Sequence, residues 1–367
     1  VIRHVGRNTR LLAILVLSAA LALASCTSSG RKASAPNNSA STAPTTTIPA
    51  GNGPAVASPG CGTSKVRALE KDDRTIQVDG QSREYLLTTP PAHDGKTPLP
   101  LVLDFHGLAE GAQIHTLMSN FGALAKKDGF VVAFPQGQGQ PVQWNLSAPP
   151  KPHPDLDFVD QLLDRLGNDL CIDTSRVYAS GLSFGAFMSS FLACERPNKF
   201  AAVAPVAGVT VFPGCEKKQP IPVIAFHGTG DPILRFNGGV GAIPGITSPA
   251  PVEGATTTTV PAADLNGAGY PKNVATWAKR NGCDPKPTDT KVASDVIHRV
   301  YHCPAGQDVE FYIIIGGGHA WPGSKFSQQI ASVIGRTSMN IDATKLMWKF
   351  FQRFQLHDAS STTNSGS

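Results

Sequence analysis

The amino-acid sequence predicts an α/β fold with a mostly parallel central sheet flanked by helices. Six short apolar runs, at 99–105, 130–134, 177–179, 201–206, 223–226 and 309–315, lack the alternation of a strand with one wet face. Such runs suit strands buried on both sides, as in a parallel sheet. Segments of helical period fall between them, near 114–127, 157–170, 184–194, 273–280 and 341–354. Strand and helix therefore alternate along the chain. That is the order of a doubly wound sheet, whose sites lie at the strand carboxyl ends.

Ahead of these runs, 75–78 and 83–88 alternate around Asp79-Gly80, a turn pair that favours an antiparallel hairpin. The folded domain is expected over 60–357. Residues 241–264, which include Thr256-Thr257-Thr258-Thr259, read as a long low-complexity loop inside it. Residues 26–59 are almost entirely Ser, Thr, Ala, Pro, Gly and Asn, too apolar-poor to offset their ordering entropy, so a disordered linker is expected there. A disordered tail is expected over 358–367.

The first residues have the pattern of an export signal. Arg3, Arg7 and Arg10 precede an uncharged apolar stretch over 11–22, too short to span a bilayer comfortably. Leu23-Ala24-Ser25-Cys26 follows directly and resembles the lipobox of bacterial lipoproteins, in which the cysteine carries the lipid. A signal over 1–25 and a lipid anchor on Cys26 are expected, with the domain on the outer face of the cell envelope.

Of 367 residues, 41% are hydrophobic and 16% charged. Loss of residues 1–25 removes three arginines and no acid, lowering the net charge from +5 to +2. No Lys/Arg cluster or stripe is present, which argues against a nucleic-acid partner. With Cys26 set aside, six cysteines remain, and an even number in an exported chain favours three disulfides. Cys283 and Cys303 flank one hairpin-like segment and form the favoured pair. The pairing of Cys61, Cys171, Cys194 and Cys215 stays open. No Cys or His spacing suggests zinc, and neither a metal nor an organic cofactor is called for.

Gly181-Leu182-Ser183-Phe184-Gly185 matches G-x-S-x-G. The five residues alone are weak evidence, since a turn with a capping serine has the same letters. Their setting is stronger: an apolar run ending at Ala179 leads in and a helical segment leads out. A serine hydroxyl is a poor nucleophile until a base takes its proton. His319 closes Ile313-Ile314-Ile315-Gly316-Gly317-Gly318, late in the domain, where the chain order Ser, Asp, His requires the base. His106 and His227 also follow apolar runs, but they precede the acid and are expected to support or pack. Asp231 ends the stretch from Val223 to Gly230 and is expected to orient the imidazole. The alternative is simple turn chemistry at Gly230-Asp231-Pro232. Backbone N–H groups of Phe184 and Leu108 are expected to form an oxyanion hole. Trp144, Trp321 and His106 are candidate substrate contacts, and either tryptophan could equally be core packing.

Together these segments resemble the esterases that include polyhydroxybutyrate depolymerases and feruloyl or acetylxylan esterases. The likeness is carried by Phe105-His106-Gly107, by the run from Arg176 to Ser183, by the run from Phe200 to Gly208, by His227-Gly228-Thr229-Gly230-Asp231, and by Gly318-His319-Ala320-Trp321-Pro322-Gly323. The resemblance implies an α/β-hydrolase with Ser183, Asp231 and His319 as its triad. It implies an ester substrate, either a polyester such as polyhydroxybutyrate or an acylated polysaccharide. Phe184 and the threonine-rich segment depart from the family pattern. A peptidase on the same fold and a catalytically silent surface-binding scaffold are the competing readings.

Overall fold

The computed structural model describes residues 53–63, 72–147, 153–241 and 262–356. The expected signal over 1–25, Cys26, most of the 26–59 linker, most of the 241–264 segment and the 358–367 tail lie outside the described residues.

In chain order the strands are β1 (Asp72–Val78), β2 (Gln81–Thr88), β3 (Leu99–Phe105), β4 (Val131–Pro135), β5 (Ile172–Leu182), β6 (Ala202–Val206), β7 (Val223–Gly228), β8 (Thr288–Ala293), β9 (Val296–Tyr301) and β10 (Val309–Ile314). The helices are α1 (Ala112–Ser119), α2 (Phe121–Asp128), α3 (Pro154–Asp169), α4 (Phe184–Glu195), α5 (Tyr270–Arg280), α6 (Lys325–Gln329), α7 (Ala331–Ile334) and α8 (Ala343–Phe351). The strands form one sheet in the order β1-β2-β4-β3-β5-β6-β7-β10-β9-β8. From β4 to β10 neighbouring strands are parallel, and antiparallel hairpins close both edges. This is an α/β-hydrolase fold.

Each central strand feeds two cores. Along β3, Leu101, Leu103 and Phe105 join one apolar cluster while Val102 joins the other. Along β5, Val177 and Ala179 face the first, and Tyr178 and Leu182 the second. Burial on both faces is why these runs carry no alternation. The edge strand β8 is the contrast: its residues are mostly exposed and polar, which keeps a free sheet edge from pairing with another chain.

The expected helix over 114–127 is two helices. Asn120 sits between α1 and α2 in the left-handed region, at φ 55°, where asparagine costs less than most residues. α3 starts as capping rules require: Pro154 opens the first turn, the His153 ring accepts the Leu156 N–H, and Asp155 and Asp157 face the positive end of the dipole.

Two further expectations differ from the structure. Residues 53–59 were expected in the linker, yet Val56 N–H donates to Asp173 and Ala57 bridges the same residue. Ser58 is buried, donating to the Leu170 carbonyl and accepting the Ile172 N–H. Composition misses this because the segment is held by backbone pairing and by a disulfide rather than by apolar side chains. Three disulfides were expected, but the cysteines of the described residues form two, Cys61–Cys171 and Cys283–Cys303, while Cys194 and Cys215 are buried free thiols.

Candidate active site

Chain direction across the sheet reverses at β3, with β4 on one side and β5 on the other. A crevice opens outside the carboxyl ends of strands at such a switch point. β3 ends there in Phe105-His106-Gly107-Leu108, and β5 ends in Ser183. β7 and β10, on the same parallel sheet, end in the loops carrying Asp231 and His319.

Ser183 has φ 58° and ψ −116°, a conformation L side chains rarely adopt. Such strain costs about 1–3 kcal/mol and persists only where surrounding contacts impose it. Here the Ser183 N–H is held by the Val206 carbonyl at 2.9 Å, and the Ser183 carbonyl accepts the Phe187 N–H at 3.0 Å. Gly185 lets the elbow close on β3, since a Cβ there would lie 1.9 Å from the Phe105 carbonyl oxygen.

Asp231 is fully buried. Its Oδ2 accepts the His319 Nδ1–H at 2.8 Å, and its Oδ1 accepts the Ile233 and Leu234 N–H groups, each at 2.8 Å. Burial alone would raise its pKa. The charge of His319 and hydrogen bonds from His227 and His319 outweigh burial and hold the carboxyl well below the usual range. In the neutral tautomer with the proton on Nδ1, the Nε2 lone pair of this ring is free to accept a proton. His319 is carried by the turn after β10, which is anchored by Gly318 N–H to the Arg336 carbonyl and by His319 N–H to the Ile334 carbonyl. β7 meets this turn closely, since a Cβ on Gly228 would lie 2.2 Å from the Gly317 carbonyl oxygen.

The two expected oxyanion donors are both unpaired. Phe184 is the first residue of α4, so its N–H has no partner within the helix, and the Leu108 N–H bonds no acceptor among the described residues. The loop carrying Leu108 runs against the nucleophile: a Cβ on Gly107 would lie 3.5 Å from the Ser183 Cβ. The structure thus pairs Asp231 with His319 and sets the Gly107 loop beside Ser183. It forms no hydrogen bond between Ser183 Oγ and His319 Nε2. In unliganded enzymes such bonds are often long and tighten only with substrate bound.

Three candidate substrate contacts have other duties. His106 is fully buried, its Nδ1–H donating to the Gly107 carbonyl at 2.7 Å and its Nε2 accepting the Gly137 N–H at 2.9 Å. Burial lowers its pKa to about 4, so the ring is neutral and braces the loop instead of touching substrate. Trp321 is 1% exposed, with its indole N–H on Thr344 and its ring among His115 and Phe121. Trp144 is 2% exposed and donates to the His106 carbonyl. Each indole N–H is used within the fold, and little of either ring reaches the surface. Trp144 still forms part of the wall of a cleft of roughly 550 Å³ beside Phe184, together with Gln138, Gln143, Asn145 and Leu146.

Sequence reasoning expected His227 to support or pack, as it does, and missed the pair Glu110 and His115. His227 stacks on Tyr270 at 3.8 Å and lies 3.3 Å from Asp231 Oδ2 while donating to the Leu234 carbonyl. Glu110 and His115, five residues apart directly after the Gly107 loop, form a buried ion pair. Two ionisable residues just after a loop glycine, the only ones from Gly107 to Asn120, were the available signal.

Residues 117–235 match the model of the prolyl oligopeptidase family. NocK of Nocardia uniformis subsp. tsuyamanensis, an esterase by name, is 31% identical over 278 residues, covering 73% of this chain and 78% of that one. Feruloyl esterase B of Piromyces equi is 28% identical over 245 residues, covering 65% of this chain. Feruloyl esterase C of Emericella nidulans is 30% identical over 191 residues, covering 50% of this chain and 65% of that one. The chain spans only 42% of the length of feruloyl esterase B. It belongs to the α/β-hydrolase esterase family of which NocK is a member.

Proposed function

We propose that this chain hydrolyses carboxylic esters through an acyl-enzyme on Ser183. Ser183 Oγ attacks the ester carbonyl carbon while His319 Nε2 takes its proton, and Asp231 stabilises the imidazolium. The oxyanion forms against the Leu108 and Phe184 N–H groups. The tetrahedral adduct collapses, and the alcohol leaves with the proton held on His319. Water then attacks the acyl carbon by the same route and restores the serine. The observation that carries this reading is a buried carboxylate bonded to His319 on the sheet edge where β5 presents a left-handed Ser183.

The cleft beside Phe184 combines an aromatic wall with the amides of Gln138, Gln143 and Asn145. That mixture suits an ester with a planar acyl group or a hydroxyl-rich alcohol, and the named feruloyl esterases among its relatives favour the same class. Feruloyl or acetyl esters of polysaccharide are therefore the proposed substrates, and hydroxybutyrate polyester is the other substrate expected from sequence.

The test has two steps. Fluorophosphonate labelling at Ser183, lost in Ser183→Ala, separates an enzyme from a silent scaffold. A panel of feruloyl-arabinose, acetylated xylan, a hydroxybutyrate oligomer and a proline-peptide anilide then ranks the classes by kcat/KM. A preference for the oligomer or the anilide would reject the carbohydrate-ester assignment.

The leader and Cys26 support export and attachment to the outer face of the envelope through lipid. The two disulfides fit an oxidising compartment. Cys26→Ser is expected to move the protein from the membrane fraction to the medium.

A further inference from the structure

We propose that Glu110 is a positioning residue for the oxyanion donor at Leu108, held by the ring of His115, which is itself anchored on Asp104. The proposal rests on the reading of Ser183 as an esterase nucleophile.

Four consecutive backbone N–H groups line this loop. Gly107 N–H donates to Glu110 Oε2 at 2.6 Å, Ala109 N–H to the Val142 carbonyl at 2.8 Å, and Glu110 N–H to the Gly107 carbonyl at 3.3 Å. Leu108 N–H is the one left over. Its direction is set by the peptide units on either side, because a planar peptide carries N–H and C=O in fixed opposition. Glu110 therefore holds the unit just before the donor.

Glu110 is itself held from behind. Its Oε1 meets His115 Nδ1 at 3.0 Å, and His115 Nε2 lies 3.1 Å from Asp104 Oδ1. Asp104 lies on β3 and also accepts the Ser180 hydroxyl at 2.6 Å. A line of contacts thus runs from the sheet (Asp104) through α1 (His115) to the loop (Glu110) and on to the Gly107 N–H. His115 and Asp104 are fully buried, and the Glu110 side chain is 10% exposed. Burial opposes charge on the His115 ring, but the two facing carboxylates outweigh it and raise its pKa to about 10. Burial likewise opposes ionisation of Glu110, and His115 with the Gly107 N–H outweighs it. The charged ring therefore donates through Nδ1 to Glu110, while Nε2 stands in ion-pair contact with Asp104.

A buried charge cluster adds little net stability compared with apolar packing of the same volume. What it adds is direction, since charge-assisted hydrogen bonds are short and geometrically strict. The His115 charge has a second effect. Carboxylates behind the oxyanion hole would oppose the negative charge growing on the substrate oxygen, and the imidazolium offsets one of the two carboxylate charges.

The test uses the full chain, with Glu110→Ala and Glu110→Gln measured beside Ser183→Ala on a short-chain nitrophenyl ester. A boronic acid that forms a tetrahedral adduct at the serine reports the oxyanion site. Glu110→Ala is expected to lower kcat roughly 30–100-fold, somewhat less than loss of a donor outright, with KM within about threefold. The boronate Ki should rise by a similar factor. Glu110→Gln keeps an acceptor for Gly107 and should recover to within about tenfold of wild type. If Glu110→Ala does not fold, as read by its melting curve, Glu110→Gln carries the test through the same match of kcat loss to Ki rise. A folded variant with wild-type kcat, or a kcat loss without any change in boronate Ki, overturns the proposal. Activity surviving in Ser183→Ala would instead remove the esterase reading on which it rests.

Discussion

His319 Nδ1 donates to Asp231 Oδ2 at 2.8 Å, joining two residues 88 positions apart in the chain. The carboxylate that accepts this hydrogen bond is fully buried and already bonded by two backbone N–H groups, so the ring has one permitted orientation.

Substitution within this set should be strongly non-additive. Ser183→Ala is expected to lower kcat on a nitrophenyl ester about a millionfold, and His319→Ala by about the same. Asp231→Asn should cost about 10⁴-fold, because the amide favours the wrong tautomer of His319. Steady-state kinetics of the three single variants and the triple variant check this, and losses that multiply would contradict a cooperating triad.

Strain at the elbow should be measurable as stability. Ser183→Gly relieves a φ of 58° in a residue with a side chain. The variant is expected to be about 1 kcal/mol more stable while losing activity, which raises Tm by a few degrees. Denaturant unfolding with a labelling control is the measurement, and an unchanged or lowered midpoint counts against strain.

Stability should fall on the alkaline side through His115. Its pKa is raised from an unfolded value near 6.5 to about 10 in the fold. A raised histidine contributes stability that is complete below the unfolded pKa and lost as pH rises through the folded one. The window is therefore about pH 6.5 to 10. Asp231 has the opposite sign: its depressed carboxyl contributes above the usual carboxylate range and is lost on acidification. Melting curves from pH 6 to 10 should show a decline that His115→Gln flattens, and parallel curves for the two proteins would refute the assignment.

The cysteines should divide four to two within the described domain. Alkylation of denatured, unreduced protein is expected to modify Cys194 and Cys215 and to spare Cys61, Cys171, Cys283 and Cys303. Peptide mass mapping reads the result. Removing Cys61–Cys171, which closes a separation of 110 residues, should cost about 1–2 kcal/mol more than removing Cys283–Cys303, which closes 20.

Much of the frame was legible in the sequence. The apolar runs that became β3 to β7 and β10 were readable because strands buried on both faces need no partner to reveal their pattern. The elbow at Ser183 was readable because a strained turn between strand and helix must be built from contiguous residues. The helix break at Asn120 was hidden, since asparagine is tolerated inside helical patterns. The docking of residues 53–59 was hidden too, because it depends on backbone pairing with Asp173.

By itself, the sequence determined the alternation of strand and helix, the turn holding Ser183, and the chain order in which Asp231 and His319 follow it. Tertiary structure decided that Trp144 and Trp321 are packed at turns, that His106 braces a loop, and that Leu108 keeps an unbonded N–H. It also brought Asp104, Glu110 and His115 into one buried cluster. The division follows from range. Turn and strand propensities act between neighbours in the chain. The partner of a buried polar atom is chosen by strand order and register, which arise only when distant segments pack.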